Sequence, residues 1–429
     1  MQWEAVLLEE MKAALGCTEP ISVALACAKA ASVLEEPVRE IELTCSRSVI
    51  KNANSVVVPR TEGLKGIRIA AAAGAVGGNP GLGLEVLNEV CAEDIRAAAR
   101  LVEEGRVRVE EKKQVPSLYI ESRVRGETGD ARVVISGLHD HFHTIEKNGT
   151  SLLTGESDAA RIIPDRFGKD AWSVDQIYDY AKHFEPEAHP ELRDALDRVI
   201  EYNMAISDEG LTKDYGLNVG KRFYAEDEEI ARIIGRTAAA SDARMGGSDA
   251  PVVVNSGSGN QGITTSIPVI MYGRAHDLPQ KEIYRALVFS NLLAIYQKHF
   301  QGLLSSFCGV MSAATASVSA IALMKGKTAE EIKQLITLSL STGGGVFCAG
   351  ANAMCASKIA VSLQTAFMAL SLVERGEVTP SNEGLAGYDA DQTIREVGRL
   401  AKNSMQGVDD EILQIMLTRK PSPEVTEGV

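Results

Sequence analysis

The chain has 429 residues, 45% of them hydrophobic but only 5% aromatic, with 38 glycines, so a large core is within reach only if small side chains and closely approaching backbones build it. A formal net charge of −14 argues against binding nucleic-acid phosphates or an anionic membrane surface, both of which need a basic face. The acidic start MQWEAVLLEEMKAALG lacks the basic segment of a secretory signal, and seven cysteines without disulfide-like spacing point to a reducing, cytoplasmic setting with free thiols.

Apolar spacing predicts helices over 2–15 and 20–34, then a strand over 38–45, where VREIELTC alternates. The glycine-rich stretch 74–83 reads as a connection or a close backbone approach, and a helix is expected over 84–103. Strand-like runs at 106–112, 116–124 and 131–138 are separated by turn signals such as GETG, and a short run covers 142–145. From 172 onward the pattern is almost wholly helical: 173–183, 188–208, 226–240, 260–275, 279–300, 302–323, 328–341, 354–374 and 391–403. The uncharged run 302–324 is long enough to span a bilayer, but its six Ser or Thr residues and many alanines make it a buried core helix. The tail after Lys420 is expected to be unstructured. The fold class is therefore mainly α with an α+β insert. Residues 1–35 and 151–429 form a discontinuous helical body, and residues 36–150 an inserted α+β domain.

Three cysteines fall in the small-residue helical body: Cys308 in SSFCGVM, then Cys348 and Cys355 in GGGVFCAGANAMCASK. Along one continuous helix, Cys348 and Cys355 would be separated by about 10.5 Å, too far for one compact centre. Gly343, Gly344, Gly345 and Gly350 oppose such a helix, and Asn352 is placed to cap the next one. Cys348 is thus expected on a loop and Cys355 in a first helical turn. By spacing alone the three are either small buried hydrophobes or ligands of a metal or cluster with one position open to substrate.

Cys17, in LGCTEPIS, precedes a helix opened by Thr18, Glu19 and Pro20, with Thr18 the expected N-cap; the dipole and free N–H groups there favour a reactive thiolate. Cys27, Cys45 and Cys91 read as packing cysteines. Two polar loops stand out. SVIKNANSVVVP carries Lys51, Asn52 and Asn54, and SGSGNQGITTSIPV carries Asn260 and Gln261 ahead of a helix whose N-terminus suits a carboxylate. His139, His141 and His143 alternate in LHDHFH and would share one face of a strand, a solvated face more simply than a zinc site, with His143 placed to reach the active site from the insert.

Taken in order, GCTEP at Cys17, KNANSVVVP from Lys51, GSGNQGITTSIPV around Asn260, SFCGV at Cys308 and GGVFCAGANAMCASK resemble the L-cysteine desulfidases over essentially the whole chain. That family is related to the α chain of iron–sulfur L-serine dehydratases. The resemblance implies an all-helical catalytic body, a [4Fe–4S] cluster on Cys308, Cys348 and Cys355, and Cys17 as a mobile acid/base. Lys51, Asn52, Asn260, Gln261, Ser306 and His143 are the expected substrate contacts, and among them the loop at Asn260 resembles the serine dehydratase segment that contributes to the substrate pocket. The chain lacks the longer gap between the last two cluster cysteines and the GCQGEVG-type context of the dehydratases proper, which favours the desulfidase branch. The implied reaction is β-elimination of L-cysteine to sulfide, pyruvate and ammonia through 2-aminoacrylate. No Schiff-base machinery for pyridoxal phosphate is recognisable. The expected partner is a small amino-acid substrate, with homo-oligomerisation left open. An L-serine dehydratase with the same cluster is the alternative enzyme. A non-catalytic metal- or redox-sensing iron–sulfur protein is the alternative class, and it leaves Cys17 and the Asn260 loop without a role.

Overall fold

A computed structural model describes residues 3–154, 165, 167–378 and 381–418. In chain order the helices are α1 (Trp3–Glu10), α2 (Thr18–Leu34), α3 (Arg47–Ala53), α4 (Ile67–Gly77), α5 (Ala92–Glu103), α6 (Val174–Lys182), α7 (Pro190–Thr212), α8 (Val219–Tyr224), α9 (Glu229–Met245), α10 (Gly259–Ala275), α11 (Gln280–Gln301), α12 (Gly309–Met324), α13 (Ala329–Gly343), α14 (Cys355–Glu374), α15 (Ala390–Arg399) and α16 (Gln406–Thr418). The strands are β1 (Ala13–Leu15), β2 (Glu40–Cys45), β3 (Val107–Glu111), β4 (Tyr119–Arg125), β5 (Asp130–Ser136), β6 (Phe142–Lys147), β7 (Thr150–Thr154) and β8 (Pro251–Val253). The chain is mainly α with one small mixed sheet, as the patterning predicts.

That sheet has the order β3-β2-β4-β5-β6-β7, parallel between β2 and β3 and antiparallel elsewhere. Ile41, Leu43 and Cys45 alternate inward along β2. Helices α2 and α4 cover the sheet, and small residues let them meet closely. A Cβ at Gly74 on α4 would come within 2.2 Å of the Ala24 carbonyl oxygen on α2. The boundary at residue 35 places α2 with the helical body, but the helix packs on the sheet, where Ser122 Oγ donates to Cys27 Sγ at 3.2 Å. Buried on nearly every side, α2 serves both parts, because its N-terminal Cys17 packs with Met245 and Cys355 of the body.

The expected helix over 2–15 stops at Glu10, and Ala13–Leu15 instead pairs antiparallel with β8. The expected helix over 84–103 begins only at Ala92, after a 3-10 segment at Pro80–Glu85. Helices α3, α4, α8 and α16 and strand β7 go beyond what the pattern discloses. The run 302–323 is a loop up to Cys308 and a helix from Gly309, and that helix sits at the centre of the body against α10, α11, α13 and α14. Two of its hydroxyls donate to the preceding turn, Thr315 Oγ1 to Met311 O at 3.0 Å and Ser317 Oγ to Ala314 O at 3.2 Å, which helps so polar a helix stay buried. Among the described residues, Cys355–Glu374 is the one helix long and apolar enough to cross a membrane, and more than half of it is buried in the core. The tail after Lys420 lies outside the described residues.

Asp242 on α9 is buried, with Oδ2 accepting the Gly220 N–H at 2.9 Å and Oδ1 without a partner. Burial outweighs the hydrogen bonds from Gly220 and Val219 and lifts its carboxyl to about 6. A carboxyl whose folded value exceeds its unfolded one destabilises the fold once both states are ionised. The penalty is absent below about pH 4 and complete above about pH 6, and amounts to roughly 2–3 kcal/mol. Asp242→Asn keeps an acceptor for Gly220. It is expected to raise the melting temperature at pH 7.5 and leave it near wild type at pH 4. A shift of equal size at both pH values would mean that ionisation is not the cause.

Candidate active site

One cavity forms where the start of α2, the end of α3, the start of α10, the last turns of α9 and α11, and the loops 303–308 and 348–351 converge. It brings together Cys17, Asn52, Asn260, Gln261, Cys308, Cys348 and Cys355, which are scattered over more than three hundred positions of the chain.

Short-range hydrogen bonding sets the three body cysteines. Cys308 is the N-cap of α12, and its N–H donates to Val346 O at 3.0 Å. The Cys348 N–H donates to Ser306 O at 2.6 Å, and a Phe307–Phe347 bridge locks the two loops in register. Cys355 opens α14, where Asn352 Oδ1 accepts the Met354 N–H at 2.9 Å. Between them Gly350 has φ +81°, and a Cβ there would lie 2.4 Å from Lys51 O, so only glycine allows this turn. Cys348 is therefore on a loop and Cys355 in a first helical turn, as the glycines require.

Burial, and then the neighbouring Cys348 and Cys355, push the Cys308 thiol up to about 12; burial raises Cys355 as well. The two raised thiols, crowded with Cys348, are released from that conflict by a cation that all three share. Among the described residues the three sulfurs do not all come within 4.8 Å of one another. A single tetrahedral zinc would hold its sulfurs about 3.8 Å apart. Soft donors at wider spacing suit an iron–sulfur cluster.

Cys17, rather than Thr18, is the N-cap of α2. Its thiol donates to Glu19 Oε2 at 3.2 Å, Thr18 Oγ1 donates to the same oxygen at 3.2 Å, and Asn52 Nδ2 donates to Oε1 at 2.8 Å. Burial first, and the Glu19 charge second, raise the Cys17 thiol well above its ordinary value. The helix terminus is expected to favour a thiolate, but its dipole contributes only about 0.3–1 kcal/mol, too little against both opposing effects. The resting group is a thiol. Burial works against ionisation of Glu19 too, yet His139 and the hydrogen bonds from Cys17 and Asn52 hold its carboxyl below the usual range. The pair is thus a thiol beside a carboxylate.

Gln261 Nε2 donates to Asn255 Oδ1 at 2.8 Å, and Asn255 Nδ2 to Asn291 Oδ1 at 2.9 Å, which fixes the amide plane. Gln261 Oε1 is left buried without a partner, 2.7 Å from where a Cβ of Gly309 would stand. Asn260 Oδ1 accepts from Ser241 Oγ at 3.2 Å.

Three expected contacts lie elsewhere. Lys51 is buried behind the Cys348 loop, where Nζ donates to Cys348 O at 3.1 Å and pairs with Asp409 of α16. Ser306 Oγ donates to the same Asp409. These two residues brace the cysteine loop from behind. His143 is half-buried on β6 with Nδ1 2.9 Å from Thr144 Oγ1. Strand alternation through the three histidines fails because 137–141 is a turn, so His139 is the buried one, held by Ser22 Oγ donating to its carbonyl at 2.7 Å.

Glu19, Arg244 and Lys298 complete the cavity wall and escape the sequence reading. Glu19 stands inside GCTEP, next to the cysteine that drew attention. Arg244 offers one signal, a lone cation in the alanine-rich run TAAASDARM. Lys298 is buried on α11, and burial lowers its ammonium value against the opposing pull of Cys348, Cys308 and Glu19.

Residues 82–414 match the family model described as serine dehydratase alpha chain. Among relatives, the chain is 40% identical to a UPF0597 protein of Lachnoclostridium phytofermentans, over 96% of this chain and 98% of that one. It is 38% identical to a UPF0597 protein of Finegoldia magna, over 96% and 99% of the two chains. A UPF0597 protein of Desulfitobacterium hafniense is 37% identical, over 96% of each.

Proposed function

The chain belongs to the serine dehydratase alpha-chain family, whose chemistry is of the lyase type, and from that premise we propose that it is a [4Fe–4S]-dependent L-cysteine desulfidase. The observation that carries the reading is the meeting of the Cys17–Glu19 pair with Cys308, Cys348 and Cys355 on one cavity.

Cys308, Cys348 and Cys355 would hold the cluster. When bound, it would supply a Lewis-acidic iron that polarises the Cβ–S bond of the substrate. The chain's own groups do the rest. Cys17 passes its proton toward Glu19 as its sulfur takes the Cα proton, so that no free thiolate has to form against the burial and charge that oppose it. The electrons of the Cα–H bond form Cα=Cβ as Cβ–S breaks, with the pair leaving on sulfur. Asn52, Asn260 and Gln261 orient the polar groups of the substrate. The released 2-aminoacrylate tautomerises and hydrolyses to pyruvate and ammonia in water. All seven cysteines are free, in keeping with a reducing cytoplasm.

Anaerobically purified protein is expected to release sulfide and pyruvate in equal amounts from L-cysteine. Its kcat/KM should exceed that for L-serine by at least about 10-fold. Pyruvate from L-serine with no sulfide from L-cysteine would make it a dehydratase, the activity for which the matched family is named.

A further inference from the structure

We propose that Arg244 is the anchor for the substrate's α-carboxylate, an assignment that rests on the amino-acid lyase reading and gives the cavity its polarity. Arg244 is only 3% exposed, and its Nε is buried with no hydrogen-bond partner. None of the described ion pairs engages its guanidinium. A buried cation left in that state is costly unless a ligand completes it. Its position sharpens the point. The guanidinium lies against Gly259, the first residue of α10, where an added Cβ would fall 2.3 Å from Nε and 2.8 Å from Nη2. The first N–H groups of a helix have no partner within it and carry the positive end of the dipole. A cation placed on that end is repelled until an anion sits between them.

A carboxylate meets both demands. Its two oxygens match the planar fork of arginine, and the α10 N-terminus adds donors from the side. Arg244 lines the same cavity as Cys17, Cys308, Cys348 and Cys355, so a carboxylate held there leaves the Cα and β-thiol of a small amino acid among those cysteines. The ligand class is a free α-carboxylate bearing a short β-thiol, so amides and decarboxylated amines are excluded.

The test uses two probes on anaerobically reconstituted protein, read by calorimetry without turnover. One is 3-mercaptopropionate, which has a thiol and a carboxylate; the other is ethanethiol, which has the thiol alone. Arg244→Gln is expected to weaken 3-mercaptopropionate by about 10- to 100-fold, the scale of a charged hydrogen bond, and to leave ethanethiol within about twofold. Arg244→Lys should recover part of the loss, since charge returns without the fork. Gly259→Ala displaces the guanidinium without removing it and should give the same selective loss. It also carries the test if Arg244→Gln fails to fold. Unchanged affinity for 3-mercaptopropionate, or parallel losses for both probes, overturns the assignment. If the wild type binds 3-mercaptopropionate through Arg244 yet releases no sulfide or pyruvate, the lyase reading fails and the anchor stands.

Discussion

Replacing Cys308, Cys348 or Cys355 by alanine is expected to abolish the brown colour of anaerobically prepared protein and, with it, all sulfide release. Wild-type protein should hold about four irons per chain and bleach in air, because an iron with an open position is exposed to oxidants. The other cysteines are the controls. Cys91 is exposed, and Cys27 and Cys45 are sealed in the sheet core, where burial pushes the Cys27 thiol up to about 12. Cys91→Ala should leave colour and activity intact. Cys27→Ala and Cys45→Ala should lose roughly 1–2 kcal/mol of stability through packing and keep the colour. Colourless protein with stoichiometric zinc after anaerobic reconstitution would defeat the cluster assignment, as would loss of colour in Cys91→Ala but not in Cys355→Ala.

What could be read in the chain depended on whether a local rule decided the position. The body helices repeat apolar residues at helical spacing, and β2 alternates cleanly, so both are visible. Helix α4 is hidden because its glycines look like a connection. Gly74 is in fact there to let α4 reach the Ala24 backbone, and the sequence letter is the same for both uses. The break between Cys348 and Cys355 follows from glycine chemistry and is legible for that reason.

Lys51 shows the opposite case. A lysine beside two asparagines invites a substrate role, but its partner Asp409 lies 358 positions away, and no local pattern announces it. The histidine run misleads by parity. Gly137 at φ +83° opens a turn before β6, so the buried ring is His139. Arg244 and Lys298 carry letters that usually mean surface; burial gives them their meaning, and burial is a property of the whole fold.

Cys17→Ala is expected to keep the iron and still bind L-cysteine, while turnover falls by at least ~10²-fold, the usual scale for losing a general base. Exchange of the substrate Cα proton with solvent deuterium should fall in parallel, since that exchange reports proton removal apart from loss of sulfide. The Glu19 contact adds a second arm. If the carboxylate is what draws the proton from a thiol that burial holds protonated, Glu19→Gln should slow the same exchange although Cys17 is intact. Cys17→Ser should not restore the rate, because an alkoxide is far harder to form than a thiolate. Near-normal sulfide release from Cys17→Ala would remove the base role and pass it to Glu19 itself, the nearest remaining proton acceptor on the cavity. Loss of iron in Cys17→Ala would instead make Cys17 a fourth ligand of the resting centre. A spectrum with L-cysteine bound would then show whether the substrate sulfur displaces it, because a thiol that leaves the iron as substrate arrives is freed at the moment a base is needed.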